Sequence, residues 1–140
     1  MRSLAVVVIA ACGHPAPPAA PEHRRGGELM IEVGTRYVRL SREVAAGRWE
    51  LAAYDVHELR ETFEDDLLVH TWGDNPTMQK AAKDFLAGPL AQLEATARTQ
   101  DRAGWGTAFG ATTTACNACH KTGKVAFVEI ADDGSLRDGR

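Results

Sequence analysis

Asp101-Arg-Ala-Gly-Trp105-Gly-Thr-Ala-Phe109-Gly-Ala-Thr112-Thr-Thr-Ala-Cys116-Asn-Ala-Cys119-His120-Lys-Thr-Gly123 reads as one helix with a defined start and stop. Asp101 is an N-cap residue, because its carboxylate can accept the unpaired N–H groups of a first turn, and Gly123 suits the other end. Trp105, Phe109, Thr112, Cys116 and Cys119 recur at alternating spacings of four and three, so they share one side. Three earlier segments repeat this period. Between Glu28 and Ala46 the stripe is Met30, Val33, Tyr37, Leu40 and Val44, ended by Gly47. From Arg48 to Val69 it is Trp49, Ala52, Val56, Leu59, Phe63 and Leu67, with Glu50, Asp55, Glu58, Glu61, Glu64 and Asp65 predicted to form an acidic outer face. After the turn-rich Thr71-Trp-Gly-Asp-Asn-Pro76 it is Met78, Ala82, Phe85, Leu86, Leu90, Leu93 and Ala97, with a kink expected at Pro89. Short connections between four helices of similar length make neighbours antiparallel. The expected fold is therefore all-α, an up-down-up-down four-helix bundle.

The 140 residues carry 16 Lys and Arg against 19 Asp and Glu, a net charge of −3, which excludes a nucleic-acid footprint and a polybasic membrane patch. The apolar runs Leu4 to Ala11 and Val125 to Ile130 fall short of the roughly 20 residues that span a bilayer. Met1-Arg2 and the run Leu4 to Ala10 have the form of a secretory signal, and Ile9-Ala10-Ala11-Cys12 resembles a bacterial lipobox in which Cys12 becomes the acylated first residue. The expected organisation is a signal peptide over 1–11, a Pro- and Ala-rich tether over 12–26, a bundle over 27–130 and a frayed tail over 131–140. Val125 to Ile130 is read as an extended piece laid over the bundle. The expected location is the periplasmic side of a bacterial membrane, lipid-anchored through Cys12, with a soluble periplasmic protein as the alternative.

Cys116-Asn-Ala-Cys119-His120 carries the chemistry. C-x-x-C-H is the attachment signature of c-type haem: two cysteines one turn apart can each add to a vinyl group of one porphyrin, and the adjacent histidine can bind the iron. The rivals fit less well. A thioredoxin-like pair opens a helix after a strand, whereas this one lies in the last turns of a terminal helix. A zinc site wants four ligands and would have to recruit His57 or His70. One covalent haem c is expected, through Cys116 and Cys119, with His120 as a metal ligand. Trp49, Phe63, Phe85, Trp105 and Phe109 are expected to line a dry cavity around it. No Ser-His-Asp arrangement, phosphate loop or helical pair of metal-binding carboxylates stands out, so no enzymatic activity is expected of the chain.

A C-terminal C-x-x-C-H on the last helix of a four-helix bundle resembles the class II c-type cytochromes, the cytochrome c prime family and its low-spin relatives, over roughly residues 27 to 124. In that family the first helix supplies the residue facing the iron opposite the histidine, some two turns before an aromatic and basic cluster similar to Arg36-Tyr37-Val38-Arg39. The resemblance implies Met30 as the distal, second axial ligand, the pattern of six-coordinate members. It implies an electron carrier with His120 and Met30 on the iron. The alternative is a five-coordinate haem protein or sensor that binds nitric oxide or carbon monoxide, and His57 is a further candidate ligand. Lys124 stands where family members usually carry an arginine, and Gly26, preceded by Arg24 and Arg25, stands at the family's early basic position. The expected partners are an unidentified redox protein and the membrane, with a second copy of the chain as a further candidate.

Overall fold

The computed structural model describes residues 25–137, so the signal, lipobox and most of the tether lie outside the described residues. The first helix is Gly26–Ala45. The second is Trp49–Glu61, continued without a break as a wider π-helical stretch Thr62–Thr71. The third runs Pro76–Phe85, through a π turn Leu86–Leu90, into Ala91–Arg98, and the fourth is Arg102–Thr122. Successive helices pack on one another, first on second, second on third and third on fourth, as short connections require. The first and fourth meet through Tyr37, stacked on Phe109 at 4.6 Å, with its hydroxyl donating to Phe109 O at 3.0 Å. No helix among the described residues is long and apolar enough to cross a membrane.

The helix ends follow local chemistry. Asp101 Oδ1 accepts from Ala103 N and Gly104 N at 3.1 and 3.0 Å, and Asn75 Oδ1 accepts from Met78 N at 3.1 Å ahead of Pro76. Gly47 takes φ +73 after the first helix. At the end of the fourth, Lys124 rather than Gly123 is the left-handed residue, φ 62, and Val125 N returns to His120 O at 2.9 Å. The apolar stripes of the second and third helices are buried throughout. Each fully buried leucine among them, Leu59, Leu67, Leu90 and Leu93, contributes about 1.5–3 kcal/mol by leaving water. Pro89, expected to kink the third helix, sits in the π turn, where the wider winding absorbs its missing N–H. Its carbonyl accepts from the buried Thr112 hydroxyl at 3.2 Å.

The acidic face of the second helix is not all solvent. Asp55 is fully buried, and Arg39 Nη2 donates to both its oxygens at 2.7 Å while Arg36 Nη1 donates to Oδ1 at 3.1 Å. Arg36 Nη2 also reaches Glu58 at 3.0 Å. Arginines one turn apart on the first helix thus draw the carboxylates of the second into the interface, and the spacing of charges along one helix could not reveal that. Glu43 lies beside this cluster, buried, with Oε1 3.8 Å from Arg39 Nε and Oε2 without a hydrogen-bond partner. Burial first, then neighbouring Asp55, pushes its carboxyl pKa up. A raised folded-state pKa contributes stability below the unfolded carboxylate pKa, about 4.3, and loses it as pH rises through the folded value. Glu43→Gln should therefore raise the melting temperature at pH 8, with the gain vanishing near pH 3.5. A variant less stable than the parent at pH 8 would show that the anion is favoured.

The chain beyond the fourth helix is not frayed over residues 131–137. Ile130 is buried and pairs with Leu136 in an isolated antiparallel bridge, while Ala131 N donates to Ser135 O at 2.8 Å and Arg137 N to Glu129 O at 2.7 Å. Gly134 makes the turn at φ +85, where a Cβ would lie 3.0 Å from Phe109 Cζ and 3.2 Å from Tyr37 O. Only glycine meets both conditions, and this residue anchors a polar segment whose composition alone suggests disorder.

Candidate functional site

The fourth helix delivers Cys119 and His120 to the wall of a cavity of about 740 Å³, closed on one side by the first helix and on another by the segment after Gly123. That volume falls within the roughly 300–1,000 Å³ of cofactor sites. His120 is half-buried, and its Nδ1 lies 2.7 Å from Val128 O. A carbonyl can only accept, so Nδ1 carries the proton, and Nε2 of the neutral ring keeps a lone pair for a metal. Cys116 sits one turn earlier, partly buried and packed against the core. Both thiols are free. Burial, together with Cys119 nearby, pushes the Cys116 thiol up to about 12, and burial raises Cys119 as well. A redox dithiol is activated by a depressed pKa, so this pair has the wrong electrostatics for that role. The described residues contain no cluster of three or more His, Cys, Asp or Glu that would hold a bare metal ion.

Opposite His120 the wall comes from a second face of the first helix. Met30, Gly34 and Val38 recur every fourth residue along it, beside Gly27, Ile31 and Thr35. Met30 therefore belongs to a cavity-facing row, while Leu29, Tyr37, Leu40 and Val44 fill the core. A Cβ at Gly27 or at Gly34 would meet nothing within 4 Å, so the glycines leave a recess. Met78 serves twice, as a core residue at 7% exposure and as part of the cavity wall.

Some expectations need correction. His57 does not line the cavity: it is exposed, with Nε2 3.4 Å from Glu61 and Nδ1 3.9 Å from Glu94. Trp49, Phe63, Phe85, Trp105 and Phe109 do not line it either. They form the core, with Trp49 edge-on to Trp105 at 5.8 Å and Phe63 against Phe85 at 4.8 Å. The one aromatic among the lining residues is Trp72, from a turn that apolar periodicity does not register. Asn117 and Val128 also escaped sequence reading. Their contribution is a side-chain amide and a backbone carbonyl, and only the path of the chain past residue 124 reveals it.

The residues fit a haem. Cys119 and an imidazole that holds Val128 O through Nδ1 and leaves Nε2 to bind a metal line an apolar cavity with a glycine recess, and the second free thiol, Cys116, lies one turn back against the core. Residues 51–124, more than half of the chain, match the family model described as Cytochrome C'. The match takes in Cys116, Cys119 and His120 and leaves out the first helix, with Met30. No curated protein matches the chain. No solved structure does.

Proposed function

Because the chain belongs to the cytochrome c′ family, the class II c-type cytochromes, and so is a haem-binding four-helix bundle, we propose that it carries electrons through one covalently attached haem with His120 and Met30 as axial ligands. When bound, haem iron supplies a one-electron couple. The protein's part is to attach, ligate and shield. Cys116 and Cys119 would hold the porphyrin, each S–H adding across one vinyl C=C, sulfur to one carbon and hydrogen to the other, so that attachment would consume no oxidant. His120 offers Nε2, because Nδ1–H is engaged by Val128 O. Met30 offers a thioether, which raises the potential relative to a second imidazole. The apolar wall keeps water from the ring. The observation that carries this reading is that Met30 and His120 line one cavity. A place on the periplasmic face of a membrane, through acylated Cys12, belongs to the same proposal and is supported by the apolar run Leu4 to Ala10 and the small residues before Cys12.

The test is spectroscopic. Protein made in a periplasm with haem-ligation machinery should keep its haem through denaturation and acidified organic extraction, and its ferrous spectrum should be low-spin. Met30→Ala should turn that spectrum high-spin, and His57→Ala should leave it alone. A high-spin ferrous spectrum with rapid carbon monoxide binding in the parent protein would replace the carrier with a gas-binding protein. A Cβ at Gly34, one turn from Met30 on the cavity wall, would meet nothing within 4 Å, so this part of the wall is open. Haem extractable from a protein with both thiols alkylatable would defeat the proposal.

A further inference from the structure

We propose that the segment from Lys124 to Arg137 is a strap that positions His120, and that Asn117, between the two cysteines, is its clasp. The C-x-x-C-H spacing leaves the two intermediate positions chemically unassigned. Here the first of them holds a backbone: Asn117 Nδ2 donates to Ile130 O at 2.9 Å, and Ile130 N donates to Asn117 Oδ1 at 2.8 Å. A primary amide is the side-chain group that can donate and accept in this paired way, so Asn117 stands in for a strand edge. Ile130 is thereby fixed both by its buried side chain and by both of its backbone polar groups.

From that point the strap is secured in both directions. Ahead of Ile130, Val128 N donates to Val125 O at 2.9 Å, and this turn brings Val128 O to His120 Nδ1. After it, the bridge to Leu136 and the turn at Gly134 seat the chain against Tyr37 and Phe109. Burying apolar side chains is not the strap's main contribution, since Phe127 is 83% exposed and Leu136 67% exposed. What the segment delivers in a defined place is a carbonyl. An acceptor on the far nitrogen of a ligating imidazole fixes its tautomer and rotation and makes the ligating nitrogen a stronger donor. A stronger donor stabilises the ferric over the ferrous state, so the strap holds the reduction potential down, against the upward effect of a thioether. Asn117 is a positioning residue in this scheme, acting on the iron through Ile130, Val128 and His120. The inference rests on His120 being an iron ligand, as proposed above.

Three variants of the full haem-loaded protein test it: Asn117→Asp, which can keep the bond from Ile130 N and loses the one to Ile130 O; Asn117→Ala, which loses both; and a chain ending at Lys124. Hydrogen exchange read by mass spectrometry over residues 125–137 reports the clasp, and Asn117→Ala should speed it by roughly tenfold or more, from two hydrogen bonds of about 1 kcal/mol each. Spectroelectrochemistry reports the action on His120. The potential should rise equally with Asn117→Ala and the shortened chain, while Asn117→Asp, whose added carboxylate by itself favours the ferric state, is read by exchange alone and should fall between the parent and Asn117→Ala. Unchanged exchange in Asn117→Ala overturns the clasp. Faster exchange with an unmoved potential in Asn117→Ala and the shortened chain overturns the positioning role, leaving the strap a structural cover. Asn117→Ala keeps the test open if the shortened chain does not fold. Loss of the haem from the parent protein on acid extraction would count against the function proposed above, while the exchange result would still decide the clasp.

Discussion

Asp55→Ala should destabilise the protein by about 3 kcal/mol, the lower end of the range for removing one partner of a buried ion pair. The carboxylate is fully buried and accepts three hydrogen bonds from two guanidinium groups, so truncation leaves both arginines facing a cavity. The full range of about 3–5 kcal/mol is not expected. Arg36 keeps Glu58 at 3.0 Å and Glu32 at 3.3 Å, and the Arg39 side chain is 44% exposed and can turn to water. For a domain of this size the loss corresponds to a melting point lower by roughly 10–20 °C. Asp55 does not line the cavity beside His120, so the spectrum of correctly folded protein should not change. A loss below about 1 kcal/mol, the worth of an exposed ion pair, would mean that water reaches the cluster and that the first and second helices are held by apolar packing alone.

That cluster also marks where reading along the chain stopped working. The apolar periodicity of Trp49 to Leu67 and of Met78 to Ala97 is a property of single helices, and each named position on these two stripes is buried. Asp55 sits on the polar side of the same period and yet is buried, because its partners are on another helix. Periodicity sees one helix at a time. The first helix shows the same limit in another form: its apolar and small residues serve two faces, and Met30, which heads the apolar stripe, packs against the core and also joins Gly34 and Val38 on the cavity wall, which periodicity alone does not separate. The start, the stripe and the C-x-x-C-H motif of the fourth helix are legible because each is local, whereas its end turns at Lys124, φ 62, rather than at Gly123. The π stretch Thr62–Thr71 had no signal of its own, and it ends in a backbone bond from Trp72 N to Leu67 O at 2.8 Å that no side chain announces. Residues 131–137 read as frayed for a related reason: a glycine turn wedged against Tyr37 and Phe109 takes its order from side chains that are distant in sequence.

Gly34→Phe should separate folding from haem loading, moving the two in opposite directions. Gly34 lies within the first helix, where glycine costs about 0.5–1 kcal/mol relative to a residue with a side chain. A Cβ there meets nothing within 4 Å, so the side chain starts into open space beside the cavity, and the haem-free chain should be at least as stable as the parent. The phenyl ring would add its bulk to the cavity wall between Met30 and Val38, in the space proposed for the porphyrin. Overpacking a site by a group of this size costs typically about 1–3 kcal/mol. Attachment is covalent, so this cost falls on the folding of the loaded chain rather than on an affinity, and haem per polypeptide in the folded fraction should fall below that of the parent. Gly34→Ala, which adds one methyl group to open space, should gain the helical stability and keep most of the haem. Absorbance of the attached haem against protein concentration gives the loading, and thermal melts of the haem-free fractions give the stability. Full loading of Gly34→Phe would show that the porphyrin does not enter this cavity, and the proposal that Met30, on the same wall, binds the iron would fall with it.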